Sequence, residues 1–206
     1  MGKNFEKSKL AILAVGLACA LALLVNHLAK ARPASAGDSR DNLAEPQQVK
    51  EIAGYQNWTK VNAVPQLMPE RVAIDCVLWK SPGGVIVNGE SNPHRDKYFT
   101  VYVNDVGQKA MLEAKNPKFP VGSVIVKEKL PAQDSRTPEL LTVMIKQKQG
   151  FNPMNGDWEY MVVDGTGTKL EGRGLLQNCQ SCHLANQKTD YIFRTYLSAE
   201  TKHKLK

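Results

Sequence analysis

The chain has 206 residues, 42% of them hydrophobic and 23% charged, which is enough for one ordinary globular domain and too few for two large ones. Its formal charge of +7 is concentrated at the start: residues 1–36 carry five basic side chains against one acidic, and without them the balance falls to +3. A surplus that small and that evenly spread excludes nucleic acid as the expected partner.

Lys3, Lys7 and Lys9 precede an apolar run from Leu10 to Val25, and a small-residue A-x-A site follows at Ala34-Ser35-Ala36. That is the layout of a secretory signal, so residues 1–36 are expected to be removed on export to the periplasm. The alternative is an uncleaved anchor facing the periplasm, since the stretch from Val25 to Ala36 is long for a cleavage region. The apolar run is, however, short for a span of about 20 residues. Cys19 lacks the leucine three positions earlier that accompanies a lipidated cysteine. Residues 37–46 read as a polar, Pro-containing linker, and residues 47–206 as the folded domain.

In "VKEIAGYQNWTKV", Ile52, Tyr55 and Trp58 recur at three-residue intervals, which predicts an N-terminal helix with one apolar face. Cys76, in "RVAIDCVLWK", reads as a small buried hydrophobe. The period then changes to two. "FTVYVN" (99–104), "GSVIVKE" (122–128), "LLTVMIKQ" (140–147) and "DWEYMVVD" (157–164) are strand-length runs of β-branched and aromatic residues. They are separated by the Pro- and Gly-rich signals "NPKFPVG", "KLPAQDSRTP" and "QGFNPMNG", with "DGTGTKLEGRG" closing the series. "NDVGQKAMLEAKN" predicts a short helix capped by Asn104 or Asp105. The tail "TKHKLK" reads as a solvated end.

Near the C-terminus, "QNCQSCHLANQKTD" places Cys179 and Cys182 three residues apart with His183 directly after them. After export the remaining cysteines are Cys76, Cys179 and Cys182, an odd number that no disulfide framework accounts for. Two thiols one helical turn apart can add to the two vinyl groups of a haem, and the following imidazole then reaches the iron as proximal ligand. C-x-x-C-H therefore points to one covalently attached haem c with His183 on its iron. A zinc site built from Cys179, Cys182, His183 and either Cys76 or His94 is the alternative for the same residues.

The surrounding pattern narrows the kind of haem protein. No methionine follows His183 to act as a second axial ligand, as it does in the helical electron carriers, and the body lacks the 3.6-residue period of a four-helix bundle. The expected fold class is α+β: an antiparallel β-sheet domain with an N-terminal helix and a C-terminal haem-binding helix. Met144, Met154 and Met161 are the candidates for any unforeseen second ligand.

With "YQNW", "TVYVN", "FPVGSVIVKE", "GDWEY" and "CQSCHLANQKTDYIF" in this order, the chain resembles the cytochrome P-460 family and its relatives, the beta-sheet cytochromes c′. The resemblance covers most of residues 47–206. It implies a homodimeric, exported, mono-haem protein with histidine on one face of the iron and an open pocket on the other. The family's distinguishing feature is a covalent bond from a strand lysine to the haem macrocycle, and the matching residue is Lys127. Alternation puts Ser123, Ile125 and Lys127 on one strand face and Val124, Val126 and Glu128 on the other. Members that oxidise hydroxylamine have an arginine before the "TVYV"-like strand and a carboxylate in the strand before "GDW". The counterparts here are Phe99 and Thr142, neither of which takes a proton at neutral pH. The expected function is oxidation of a small nitrogen compound, hydroxylamine or nitric oxide, with electrons passed to an accepting cytochrome. The alternative is a non-catalytic module that binds or senses nitric oxide.

Overall fold

The computed structural model describes residues 47–73 and 95–205. The signal, linker, Cys19, Cys76 and His94 readings lie outside those residues. Among the described residues no helix is long and apolar enough to cross a membrane.

Among the described residues seven strands form one antiparallel sheet: β1 (Thr59–Lys60), β2 (Gln66–Leu67), β3 (Tyr98–Val103), β4 (Val124–Leu130), β5 (Leu140–Lys146), β6 (Trp158–Asp164) and β7 (Leu170–Gly174). The order is β1-β3-β4-β5-β6-β7, and the short β2 also pairs with β3. The four long central strands fall within a residue or two of the runs expected from alternation. Helix α1 (Asp105–Leu112) joins β3 to β4, and the side chain of Asn104 caps it by accepting from the Gly107 amide at 3.1 Å. Helix α2 (Gln177–His183) carries the C-x-x-C-H run and continues into a 3-10 turn over Leu184–Thr189.

Both faces of the sheet are covered, which is why the central strands are apolar on both sides. On one face Val124, Val126, Leu141, Val143, Ile145, Met161 and Val163 pack with Ile52 and Tyr55. On the other, Phe99, Val101, Val103, Ile125, Met144, Trp158 and Tyr160 pack with Ala110 and Met111 of α1, with Phe119, and with Ile192, Tyr196 and Leu197 after the haem-motif helix. Burying each such side chain contributes roughly 1.5–3 kcal/mol.

Three elements differ from expectation. The N-terminal helix resolves into two 3-10 turns, Lys50–Ile52 and Tyr55–Asn57, because Gly54 between them takes φ +71° and breaks the helical path. Ile52 and Tyr55 are buried as the apolar spacing predicts, and Trp58 is half-buried. "LEGRG", inside a stretch read as loop, is strand β7; its alternate glycines pair with β6 at Val162↔Gly172 and Tyr160↔Gly174. Part of the tail is also structured: helix α3 (Ala199–Lys204) starts at Ser198, whose hydroxyl accepts from the Thr201 amide at 3.0 Å.

Candidate functional site

The pleat fixes which side chains share a wall. Direct cross-strand pairing aligns Val101↔Lys127, Lys127↔Thr142 and Thr142↔Val162 in one row, with Val103↔Ile125, Ile125↔Met144 and Met144↔Tyr160 in the row beside it. Since residues in register point to the same side, Lys127 and Thr142 stand together among apolar neighbours. Ile125 and Lys127 share this face, while Val126 and Glu128 turn to the opposite core, where Glu128 accepts from the Tyr55 hydroxyl at 2.9 Å.

This face and the C-terminal segment line a partly open cavity of about 230 Å³. That is roughly fifteen to twenty times the room a single water needs, so the space is shaped for a group of substantial size. Lys127, Phe99 and Thr142 line it from the sheet; Cys179, Cys182 and His183 line it from α2. All six residues singled out from the sequence thus meet around one space. Phe99 is buried and packs edge-on against Tyr196, ring centroids 5.7 Å apart. Of the three methionines considered, Met144 packs on the cavity face, whereas Met161 borders the cavity but packs in the opposite core and Met154 is 78% exposed, which removes both as candidates. Met68, not considered from sequence, also lines it. No carboxylate does so among the described residues.

His183 is held in a form suited to metal ligation. Its Nδ1 lies 2.6 Å from the Tyr191 carbonyl oxygen. A carbonyl can only accept, so Nδ1 carries the hydrogen and Nε2 carries the lone pair. Burial pushes the imidazole pKa down to about 4, with the nearby Lys127 charge acting the same way against the carbonyl bond, and the ring is neutral at neutral pH. Tyr160 and Phe193 flank it at 5.6 and 5.0 Å between ring centroids.

Tyr160 adds an observation that the sequence did not signal beyond its place on an alternating strand. Its hydroxyl is buried on the cavity wall without a hydrogen-bond partner, and burial, followed by the neighbouring Cys179 and Tyr191, raises its pKa. Buried polar groups without partners are rare and expensive. A polar prosthetic group in the cavity would relieve this one. Two thiols one helical turn apart, a neutral imidazole with its second nitrogen available, and an orphaned hydroxyl fit haem c. The zinc alternative needs donors outside the described residues, and among the described residues no three His, Cys, Asp or Glu side chains cluster as a metal site.

The stretch after α2 was read from sequence only as a motif, yet it supplies the histidine's partner. Asp190 and Tyr191 adopt φ +54° and +66°, a left-handed conformation that non-glycine residues seldom take. The Tyr191 ring lies over Gly156, where a Cβ would come within 2.6 Å of it.

No curated protein matches the chain. Residues 52–194, more than half of the sequence, match the family model of cytochrome P460. That span runs from the first 3-10 turn through the whole sheet and the C-x-x-C-H helix to the turn that holds His183, and the chain accordingly belongs to the cytochrome P460 family, whose members bind haem c covalently with iron.

Proposed function

We propose that the protein is an exported mono-haem c oxidoreductase acting on a small nitrogen compound, hydroxylamine or nitric oxide. One observation carries this reading: an apolar cavity joins a C-x-x-C-H helix, with His183 presenting a neutral Nε2, to a strand lysine on the facing sheet. When bound, haem c supplies a one-electron redox centre and an open coordination position for the nitrogen ligand. Cys179 and Cys182 anchor it through thioethers, and His183 is the proximal ligand. Lys127, half-buried in β4, is the residue placed to modify the macrocycle covalently. Phe99 and Tyr196 exclude water from the sheet side of the cavity, and Thr142 is the polar group directly opposite Lys127. The electrons leave to an accepting cytochrome in the periplasm, and the functional unit is a homodimer.

The lack of a carboxylate on the described cavity wall favours a second reading, in which the site binds or senses nitric oxide without turnover. Removing protons from hydroxylamine requires a base of suitable pKa within reach, and Phe99 and Thr142 provide none. The test is made on protein matured with haem c. Haem must survive denaturation on the band, and the spectrum must change on Lys127→Leu. Hydroxylamine must then reduce an artificial acceptor at a rate above that of free haem. A haem-loaded, lysine-linked protein that does not turn over supports the ligand-binding reading.

A further inference from the structure

The turn that holds His183 is itself held by a set of buried contacts that the haem-attachment motif does not explain. Asp190 is almost fully buried, and Lys146 of β5 donates to both of its carboxylate oxygens, at 2.9 and 2.7 Å. The Phe119 amide also donates to this carboxylate, at 2.8 Å. The Asp190 carbonyl accepts from the Trp158 indole at 2.8 Å, and the Lys146 ammonium lies 5.0 Å from the centre of the Trp158 ring. The next amide, of Tyr191, donates to Asn186 at 2.8 Å, and the Tyr191 hydroxyl donates to the Met154 carbonyl at 3.1 Å. Two successive left-handed, non-glycine residues cost on the order of 1–3 kcal/mol each, and such strain persists where the surroundings over-determine it. Here the surroundings do so at the residue preceding, and the residue containing, the carbonyl that accepts from His183.

We propose that Asp190, locked by Lys146 and the Trp158 indole, is a positioning residue for the proximal histidine: it fixes the Tyr191 carbonyl against His183 Nδ1 and so sets how strongly Nε2 donates to the haem iron. This rests on the reading of His183 as proximal ligand. A short Nδ1–H···O=C bond orients the ring and raises its basicity. A more basic ligand stabilises ferric over ferrous iron, and second-shell hydrogen bonding is one of the recognised levers on haem potential. Freeing the turn lets the bond lengthen and weakens the donation.

The test uses haem-loaded protein and two readouts, the iron–histidine stretching band of the ferrous form and the midpoint potential. Asp190→Asn and Lys146→Met each lower the stretching frequency and shift the couple toward the ferrous form by roughly tenfold in the ferrous-to-ferric ratio, which is about 59 mV for one electron. Lys146→Arg, which keeps the charge, stays near wild type, and the double variant moves no further than either single one because both act through one turn. Val126→Ala, buried on the opposite face of the sheet, lowers stability and leaves both readouts unchanged. The proposal is overturned if Asp190→Asn and Lys146→Met retain haem with unaltered band and potential, or if Val126→Ala shifts them equally. Should Asp190→Asn fail to fold, Lys146→Met decides alone. Wild-type protein that carries no haem after denaturation overturns the ligand reading, and this proposal with it; haem retained with unshifted variants overturns only the positioning role.

Discussion

Tyr160 places a hydroxyl on a wall that is otherwise mostly apolar, with no protein partner, and its consequences differ between the haem-free and haem-loaded states. An unpaired buried hydroxyl is destabilising, so in haem-free protein Tyr160→Phe should raise stability by on the order of 1 kcal/mol. If bound haem supplies the hydroxyl with a partner, the gain should vanish or reverse in the loaded protein. Denaturant titration of both forms checks this, and an equal gain in both would show that the hydroxyl meets nothing in the loaded site. His183 leaves a pH dependence in the haem-free form. Its folded pKa, about 4, is depressed from the ordinary 6.5 by burial, so below pH 6.5 the unfolded chain takes up a proton that the folded chain refuses. Stability contributed by the neutral buried ring is complete above pH 6.5 and lost as pH falls toward 4, on the order of 3 kcal/mol in all. His183→Leu should flatten this slope in denaturant titrations across that window. At the same scale Cys179, Cys182 and His183 were legible as candidates because their spacing has one dominant chemical use, and the fold brings them to one cavity. Tyr191 was not legible, since it contributes a backbone carbonyl, and no side-chain pattern announces which carbonyl a fold will turn toward a histidine.

Strand β4 decides what the cavity can do, because its pleat sends Lys127 inward and Glu128 to the Tyr55 side of the sheet. Thr142 is the direct cross-strand partner of Lys127, which sharpens the expectation for Thr142→Glu. The new carboxylate would stand on the cavity wall beside Lys127 and supply the proton acceptor that the described wall lacks. Hydroxylamine turnover with an artificial acceptor should therefore rise in Thr142→Glu over wild type, and Lys127→Leu in that background should reduce it. No rise would place the proton acceptor elsewhere or leave ligand binding as the function. The four central strands were legible because each is a strand-length run of mostly β-branched, aromatic and other apolar residues bounded by Pro and Gly signals. β7 was not, because an edge strand needs no apolar run: in "LEGRG" the glycines approach β6 while Arg173 reaches out to Glu159 at 2.7 Å and to Glu51. The N-terminal helix was half legible. Its apolar spacing identified Ile52 and Tyr55 as buried, but three-residue intervals suit a 3-10 turn as well as an α-helix, and Gly54 settled which.

For the molecule as a whole, the sheet divides a core closed by protein atoms alone from one built around a cavity. The face built around Val126, Leu141, Val143 and Val163 closes on Ile52 and Tyr55 using protein atoms alone. The opposite face is completed around a cavity of about 230 Å³. Its lining is mostly apolar, so without a bound group that surface meets water. Bound there, haem would be part of the core on that face, and its removal should act on one side of the molecule. In the Cys179→Ala, Cys182→Ala variant made without haem, amide hydrogen exchange should stay slow in β4, β5 and β6, whose hydrogen bonds are backed by the filled core. It should accelerate in α2, in the following 3-10 turn and in the segment carrying Ile192 and Tyr196, which rest on the empty side. Near-UV circular dichroism from Trp158 and Tyr160 should weaken while the far-UV β signal remains. Exchange accelerated equally in β4–β6 and in α2 would mean that both faces unfold as one cooperative unit, and that the sheet depends on haem for its own stability.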